Sequence, residues 1–235
     1  MTRELILSAI RRHLRRGPLP ADQRAMLEAR LALHPRHLIP ARSRLPRPEQ
    51  VALFIANVEK EFGTVTRLDD LEAVPEAIAA YLAEHNLPTR LVAAPHPELT
   101  GLGWEKRPLL EVRFGRAEAS DLVSLQHGFA GIAETGTLML PSGPERPTTL
   151  NLLADTALVV LRASRIVGAY EEAWDLLRAE RRTAEGRFMP RNVMLVTGPS
   201  RSADIEQTLE LGAHGPRRLH ILLIDDDPAA RPAQA

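Results

Sequence analysis

Two tetrads in this chain, Leu158-Val159-Val160-Leu161 and Ile221-Leu222-Leu223-Ile224, are apolar at every position. A strand with one wet face alternates apolar and polar residues, so an unbroken apolar run belongs to a strand buried on both faces, in the middle of a sheet. The pattern around the tetrads agrees. Thr64 to Leu68, Arg90 to Ala94, Leu109 to Phe114, Leu122 to Leu125, Ala157 to Leu161, Asn192 to Thr197 and Leu219 to Ile224 read as strands. Among them lie helical patterns: Val51, Phe54, Ile55, Val58 and Phe62 as one stripe closed by Gly63, then Pro75 to Glu84, Tyr170 to Arg182 and Ala203 to Leu211. Ile132 to Leu140 is apolar on both sides of a Glu-Thr-Gly interruption and reads as two short strands or one bent strand. Strands alternating with helices of this length predict an α/β fold, a mainly parallel sheet covered on both faces in three layers.

This domain is expected over residues 46–227. Residues 1–45 read as a helical arm and connector: Leu5, Ile6, Ala9, Ile10 and Leu14 recur at helical spacing, a second helical pattern runs through Met26, Leu27, Leu31 and Leu33, and Pro35, Pro40, Pro46 and Pro48 punctuate the connector and its exit. The apolar stripe of the arm suits docking on another protein or a homodimer. Residues 228–235, small, polar and proline-containing, are expected to fray.

Thirty basic and thirty acidic side chains cancel. The chain has no charge excess to hold it on nucleic acid or an anionic membrane, so neither is an expected partner. It contains no cysteine, which excludes a thiolate nucleophile, a disulfide and a cysteine-ligated iron-sulfur cluster. No apolar run is long enough for a membrane span, and a cytoplasmic location is expected.

Three segments can carry chemistry. In Ala133-Glu134-Thr135-Gly136-Thr137 a carboxylate and two hydroxyls interrupt extended apolar chain. A buried ionised group costs several kcal/mol or more unless paired. Glu134 is therefore either a ligand-facing carboxylate, with Gly136 allowing close backbone approach, or an exposed residue of a tight turn. Thr197-Gly198-Pro199-Ser200-Arg201-Ser202-Ala203-Asp204 reads as a strand, a glycine turn and a helix capped by Ser200 or Ser202, with Asp204 in its first turn. Such a terminus can hold an anion, with Arg201 adding a guanidinium fork, or be merely a capped helix. His214, in Gly212-Ala213-His214-Gly215-Pro216, can bind a ligand, move a proton or only satisfy its own loop. Arg146 can reach an anion or stand solvated.

Common motifs are missing. The glycine turn lacks the Gly-Lys-Ser/Thr ending of a P-loop and the three glycines of a dinucleotide fingerprint. No Gly-x-Ser-x-Gly elbow appears. His13, His34, His37, His85, His96, His127 and His220 are scattered without paired ligand spacing, so no structural metal is expected.

Ile132 to Leu138, Arg146 with Leu150 to Leu153, Thr197 to Glu206 and His214-Gly215-Pro216, in this order and spacing, resemble the LUD-domain family, most closely its lactate-utilization protein C (LutC) branch. The resemblance covers roughly residues 46–225. It implies a fold like that of the NagB/RpiA/CoA-transferase group and a role with iron-sulfur partner proteins in oxidising L-lactate to pyruvate, the partners carrying the clusters. It also implies a small anionic ligand, of unspecified identity, among Glu134, Thr135, Gly136, Thr137, Arg146, Thr197, Gly198, Ser200, Arg201, Asp204 and His214, with Glu134 the catalytic candidate. In one place the chain departs from the pattern. Family members commonly read Leu-Pro followed shortly by a histidine, and this chain has Leu153-Ala154-Asp155-Thr156-Ala157. Two other readings stand beside this one: a separate CoA-transferase-like or sugar-phosphate enzyme using Glu134 as nucleophile or base, and a metabolite sensor without turnover.

Overall fold

The computed structural model describes residues 2–15, 17–183, 186–202 and 210–230. The chain divides into two compact units, Met1–Ile39 and Pro40–Ala235. The first holds α1 (Arg3–His13) and α2 (Ala21–Leu33). No residue of either helix is buried, and apolar positions such as Leu5, Ile6, Ile10, Met26 and Leu31 face outward.

The second unit begins earlier than the expected boundary at 45/46. Ser43 is buried in it, and Arg47 pins the following helix by donating to Ala163 O at 2.9 Å, to Asp227 Oδ2 and to Ile166 O. That helix is α3 (Arg47–Lys60), with Pro48 in its first turn. Next in the chain are β1 (Thr64–Leu68), α4 (Val74–Glu84), β2 (Arg90–Ala93), α5 (Pro97–Thr100), β3 (Glu111–Phe114), β4 (Val123–His127), β5 (Ala130–Ile132), β6 (Thr137–Pro141), β7 (Thr156–Arg162), β8 (Ile166–Val167) and α6 (Tyr170–Arg181). Then come β9 (Val193–Thr197), β10 (Arg201–Ser202), β11 (Glu210–Leu211) and β12 (Arg218–Ile224).

The main sheet runs β1-β12-β7-β4-β2-β3 and every pairing in it is parallel. The two apolar tetrads lie side by side in β7 and β12, with Val159 opposite Ile221. Their pleat explains why no position is polar. Leu158, Val160, Leu222 and Ile224 enter the core under α4, while Ala157, Val159, Leu161, Leu219, Ile221 and Leu223 enter the core under α3. Each fully buried Leu, Ile or Val contributes about 1.5–3 kcal/mol of transfer free energy, so a charge at any of these positions removes a core contact on one side or the other.

Sequence and structure part at β9. The segment read as another strand of a parallel sheet pairs antiparallel with β6, in a second sheet ordered β8-β5-β6-β9. The Glu-Thr-Gly interruption is the turn between β5 and β6, which pair antiparallel, so the two-strand reading holds. Leu138 and Leu140 of this second sheet pack on the α3 side of the main sheet, whereas Ala130, Ile132 and Met139 pack on α6. The helix expected over Ala203 to Leu211 is also corrected where it is described: Arg201 and Ser202 pair with Leu211 and Glu210 as a small antiparallel ladder. Residues 203–209, Asp204 among them, lie outside the described residues. Pro228–Ala230 forms a short 3-10 turn with Ala230 buried.

His220, on the α4 face of β12, stacks on Tyr81 with centroids 4.1 Å apart and bonds Thr64 Oγ1 through Nδ1 at 2.8 Å. Burial, with His85 nearby, pushes its pKa down to about 4. An unfolded histidine titrates near about 6.5, so as the pH falls from there towards about 4 the unfolded chain takes up a proton that the folded protein does not. Stability contributed by neutral His220 is complete above that window and is lost as the pH falls through it. Thermal melts at intervals across the window are expected to show a steeper acid-side decline for the wild type than for His220→Gln; equal slopes would show that this imidazole is not the cause.

Candidate anion-binding site

In an open parallel sheet the place for a ligand is beyond the carboxyl ends of the strands, where adjacent strands send the chain to opposite faces. Here those strands are β2 and β4. After β2 the chain enters α5, whose Leu99 joins the core under α4. After β4 it enters the second sheet, on the α3 side. His96 stands at the first exit and His127 ends β4, and their rings stack with centroids 3.6 Å apart. Arg146, from the loop after β6, reaches over both: its Nη2 lies 3.0 Å from His96 Nε2 and 3.0 Å from His127 Nδ1. The neighbouring strand ends complete a row. Glu98 accepts from Arg162 Nε through both oxygens at 3.1 Å, and Arg162 also donates to Asp226, which Ser164 holds through its backbone N–H and hydroxyl.

The protons in this row fix its chemistry. His127 accepts from Arg146 at Nδ1, so its proton is on Nε2, donated to Glu98 Oε2 at 3.1 Å. Burial first, then the Arg146 charge and the adjoining His96, push the His127 pKa down to about 3, and it is neutral at ordinary pH. His96 is likewise lowered by burial and by Arg146. Although burial alone would raise it, Arg162 and His127 hold the Glu98 carboxyl below its usual range.

Acceptors run short at one end. Both ring nitrogens of His96 face N–H groups, Arg146 Nη2 at Nε2 and the Glu98 backbone at Nδ1, 3.3 Å away. A neutral imidazole has a single acceptor nitrogen, so one of these contacts sets donor against donor. Arg146 Nε is buried with no partner, and no carboxylate pairs directly with this guanidinium among the described contacts. An oxygen-rich anion placed beside Arg146 and His96 would supply the missing acceptors. Among the described residues, no group of three or more His, Cys, Asp or Glu can hold a metal ion.

The other expected residues sit elsewhere. Because β6 and β9 run antiparallel with Thr137 opposite Thr197, the segments of Glu134 and Ser200 do lie at one end of a shared sheet. Helix α3 occupies the space at that end. Gly136, at φ +66°, has Val58 N 2.6 Å from where a Cβ would stand, and Gly198, at φ +72°, lies directly against Glu61 O. Both glycines admit helix backbone, which is the close approach their missing side chains permit. Glu134 faces the lead-in to α3: its Oε2 accepts from Ser43 Oγ at 3.0 Å, Arg42 stands 3.9 Å away, and the side chain is 7% exposed. Thr137 bonds Thr135, Tyr170 and Thr197 at 2.7, 3.0 and 2.6 Å, filling its one donor and two acceptor positions. Arg201 pairs with Glu61 at 2.8 Å and covers the Phe62 ring. Ser200 Oγ accepts from the His214 N–H, which ties down the loop carrying that histidine. Among the described residues of the expected set, only Arg146 stands at the carboxyl ends of the parallel strands.

The fold and this row define the class: a three-layer α/β protein that presents a guanidinium and two neutral imidazoles where a parallel sheet opens. Residues 116–224 match the model of the LUD domain family. Similar curated proteins include an uncharacterized protein of Neisseria meningitidis, 46% identical over 97 residues (41% of this chain, 40% of that one). Lactate utilization protein C of Bacillus subtilis is 36% identical over 95 residues (40% and 39%), and lactate utilization protein C 1 of Bacillus mycoides is 31% identical over 131 residues (56% and 53%). The matches thus span between 39% and 53% of these relatives' lengths. A crystal structure of a DUF162 family protein from Deinococcus radiodurans shares the fold, with a TM-score of 0.55 at 23% identity, over 77% of this chain and 99% of that one. Among the described residues, no helix is long and apolar enough to cross a membrane.

The hydroxyl cluster at the far end of the second sheet is expected to be structural. Thr137→Val keeps the shape but leaves the buried hydroxyls of its neighbours short of a partner, at a cost of about 1–3 kcal/mol. Urea unfolding should show this as a lower midpoint with an unchanged slope.

Proposed function

We propose that this chain is a component of a lactate-utilization system of the protein C type, acting in the cytoplasm with iron-sulfur partners, and that Arg146 and His96 hold the carboxylate of a small 2-hydroxy or 2-oxo acid while His127 positions Arg146. The observation that carries the proposal is the excess of donors around His96 and Arg146. A carboxylate oxygen accepting from Arg146 lets His96 keep its proton on Nε2 and donate it to the same ligand, so the conflict at the ring disappears. The relatives named for lactate utilization support this choice of ligand class. Oxidising L-lactate to pyruvate releases two electrons and two protons; with no cysteine this chain offers no cysteine-ligated cluster to take the electrons, which fits a binding component whose partners carry them. Glu134 is a poor nucleophile where it stands, committed to Ser43 and shielded by the chain before α3.

Calorimetric titration tests this. L-Lactate or pyruvate is expected to bind the wild type, Arg146→Gln to weaken binding tenfold or more, about 1.4 kcal/mol or above, and Glu134→Gln to leave it unchanged. Binding of neither acid, or equal affinity in Arg146→Gln, would remove the proposal.

A further inference from the structure

A second place on this unit sets hydrogen-bond donors beside an apolar stretch. A cleft of about 610 Å³ is lined by Arg116 from the loop after β3, by Ser142, Gly143, Thr148 and Thr149 from the loop after β6, and by Arg191 and Asn192 just ahead of β9. That volume is in the range of sites for organic ligands of nucleotide size. Among the described residues, no carboxylate lines it. Among the described residues neither Arg116 nor Arg191 has an ion-pair partner, so two guanidinium groups meet the cleft uncompensated.

Its hydroxyls are arranged the same way. Ser142 Oγ accepts the Asn192 N–H at 3.0 Å, and Thr149 Oγ1 accepts the Ala117 N–H at 3.0 Å. Each therefore spends an acceptor position on the backbone and keeps its own proton to donate. Arg181 Nη1 donates to Ser142 O at 3.0 Å and braces the loop with a third guanidinium. Pro144 and Pro147 give the cleft an apolar stretch beside these donors.

The geometry points to a binding site for a small organic phosphate, its phosphate oxygens accepting from Arg116, Arg191, Ser142 and Thr149 and its carbon skeleton lying against Pro144 and Pro147. A phosphate carries only acceptors at neutral pH, and arginine forks match its oxygens two at a time. A carboxylate fills fewer of these donors, which separates this cleft from the row at His96. The Arg146 loop runs between the two.

Isothermal titration at low ionic strength with ADP, pyrophosphate and adenosine tests the assignment. ADP and pyrophosphate are expected to bind and adenosine not to. Arg116→Gln and Arg191→Gln should each weaken ADP binding tenfold or more while leaving the affinity for L-lactate unchanged, and Arg107→Gln, which removes an equal charge next to Glu76 on another face, should change neither. No binding of ADP or pyrophosphate overturns the proposal, and so does a loss in Arg107→Gln as large as in Arg191→Gln, which would mark general charge attraction. Circular dichroism and melting temperatures of the variants confirm that each is folded.

Discussion

Everything in the second unit depends on β7 and β12 being buried on both faces. Parallel pairing along their whole length, with apolar side chains alternating into two cores, lets α4 close one face and α3, backed by the second sheet, close the other. The strand ends are then the one part of the sheet where polar groups can gather without crossing a core. Glu98, His127, Arg162 and Asp226 gather there in hydrogen-bonded sequence, and Arg146 meets them from the second sheet's own loop.

Much of this is legible from residues alone. Strand and helix positions follow from apolar spacing because each element buries one recognisable set of side chains. What spacing does not carry is partnership. β9 is as apolar as a strand of the main sheet, yet it pairs antiparallel with β6, and nothing in Val193 to Thr197 distinguishes the two pairings. Placing that strand in the parallel sheet puts the ligand crevice at Ser200, whereas its pairing with β6 puts Ser200 beyond the end of the second sheet. A better signal is present in the same residues. His96, His127, Arg162 and Asp226 each stand at or just beyond the carboxyl end of an expected strand, and strands that run parallel must bring such residues to one edge. By linear motif the histidines look scattered; by strand end they form a row.

Glu134 shows the complementary difficulty. A carboxylate interrupting apolar chain does need a reason, and the reason here is a hydroxyl and a guanidinium from residues some ninety positions earlier. Local sequence cannot reveal a partner that distant. The same holds for Gly136 and Gly198, whose bare Cα atoms look like openings for a ligand until the helix that presses on them is seen.

That helix has a mechanical consequence. α3 is gripped by Arg47 at its start, by Asn57 donating to Ala133 O along its length, and by Gly198 and Arg201 at its finish, so it acts as a wedge driven between two sheets. None of the groups at the histidine row or the arginine-lined cleft belongs to this wedge. Rim loops can thus be retuned for one small molecule or another without loosening the joint that keeps the sheets in register.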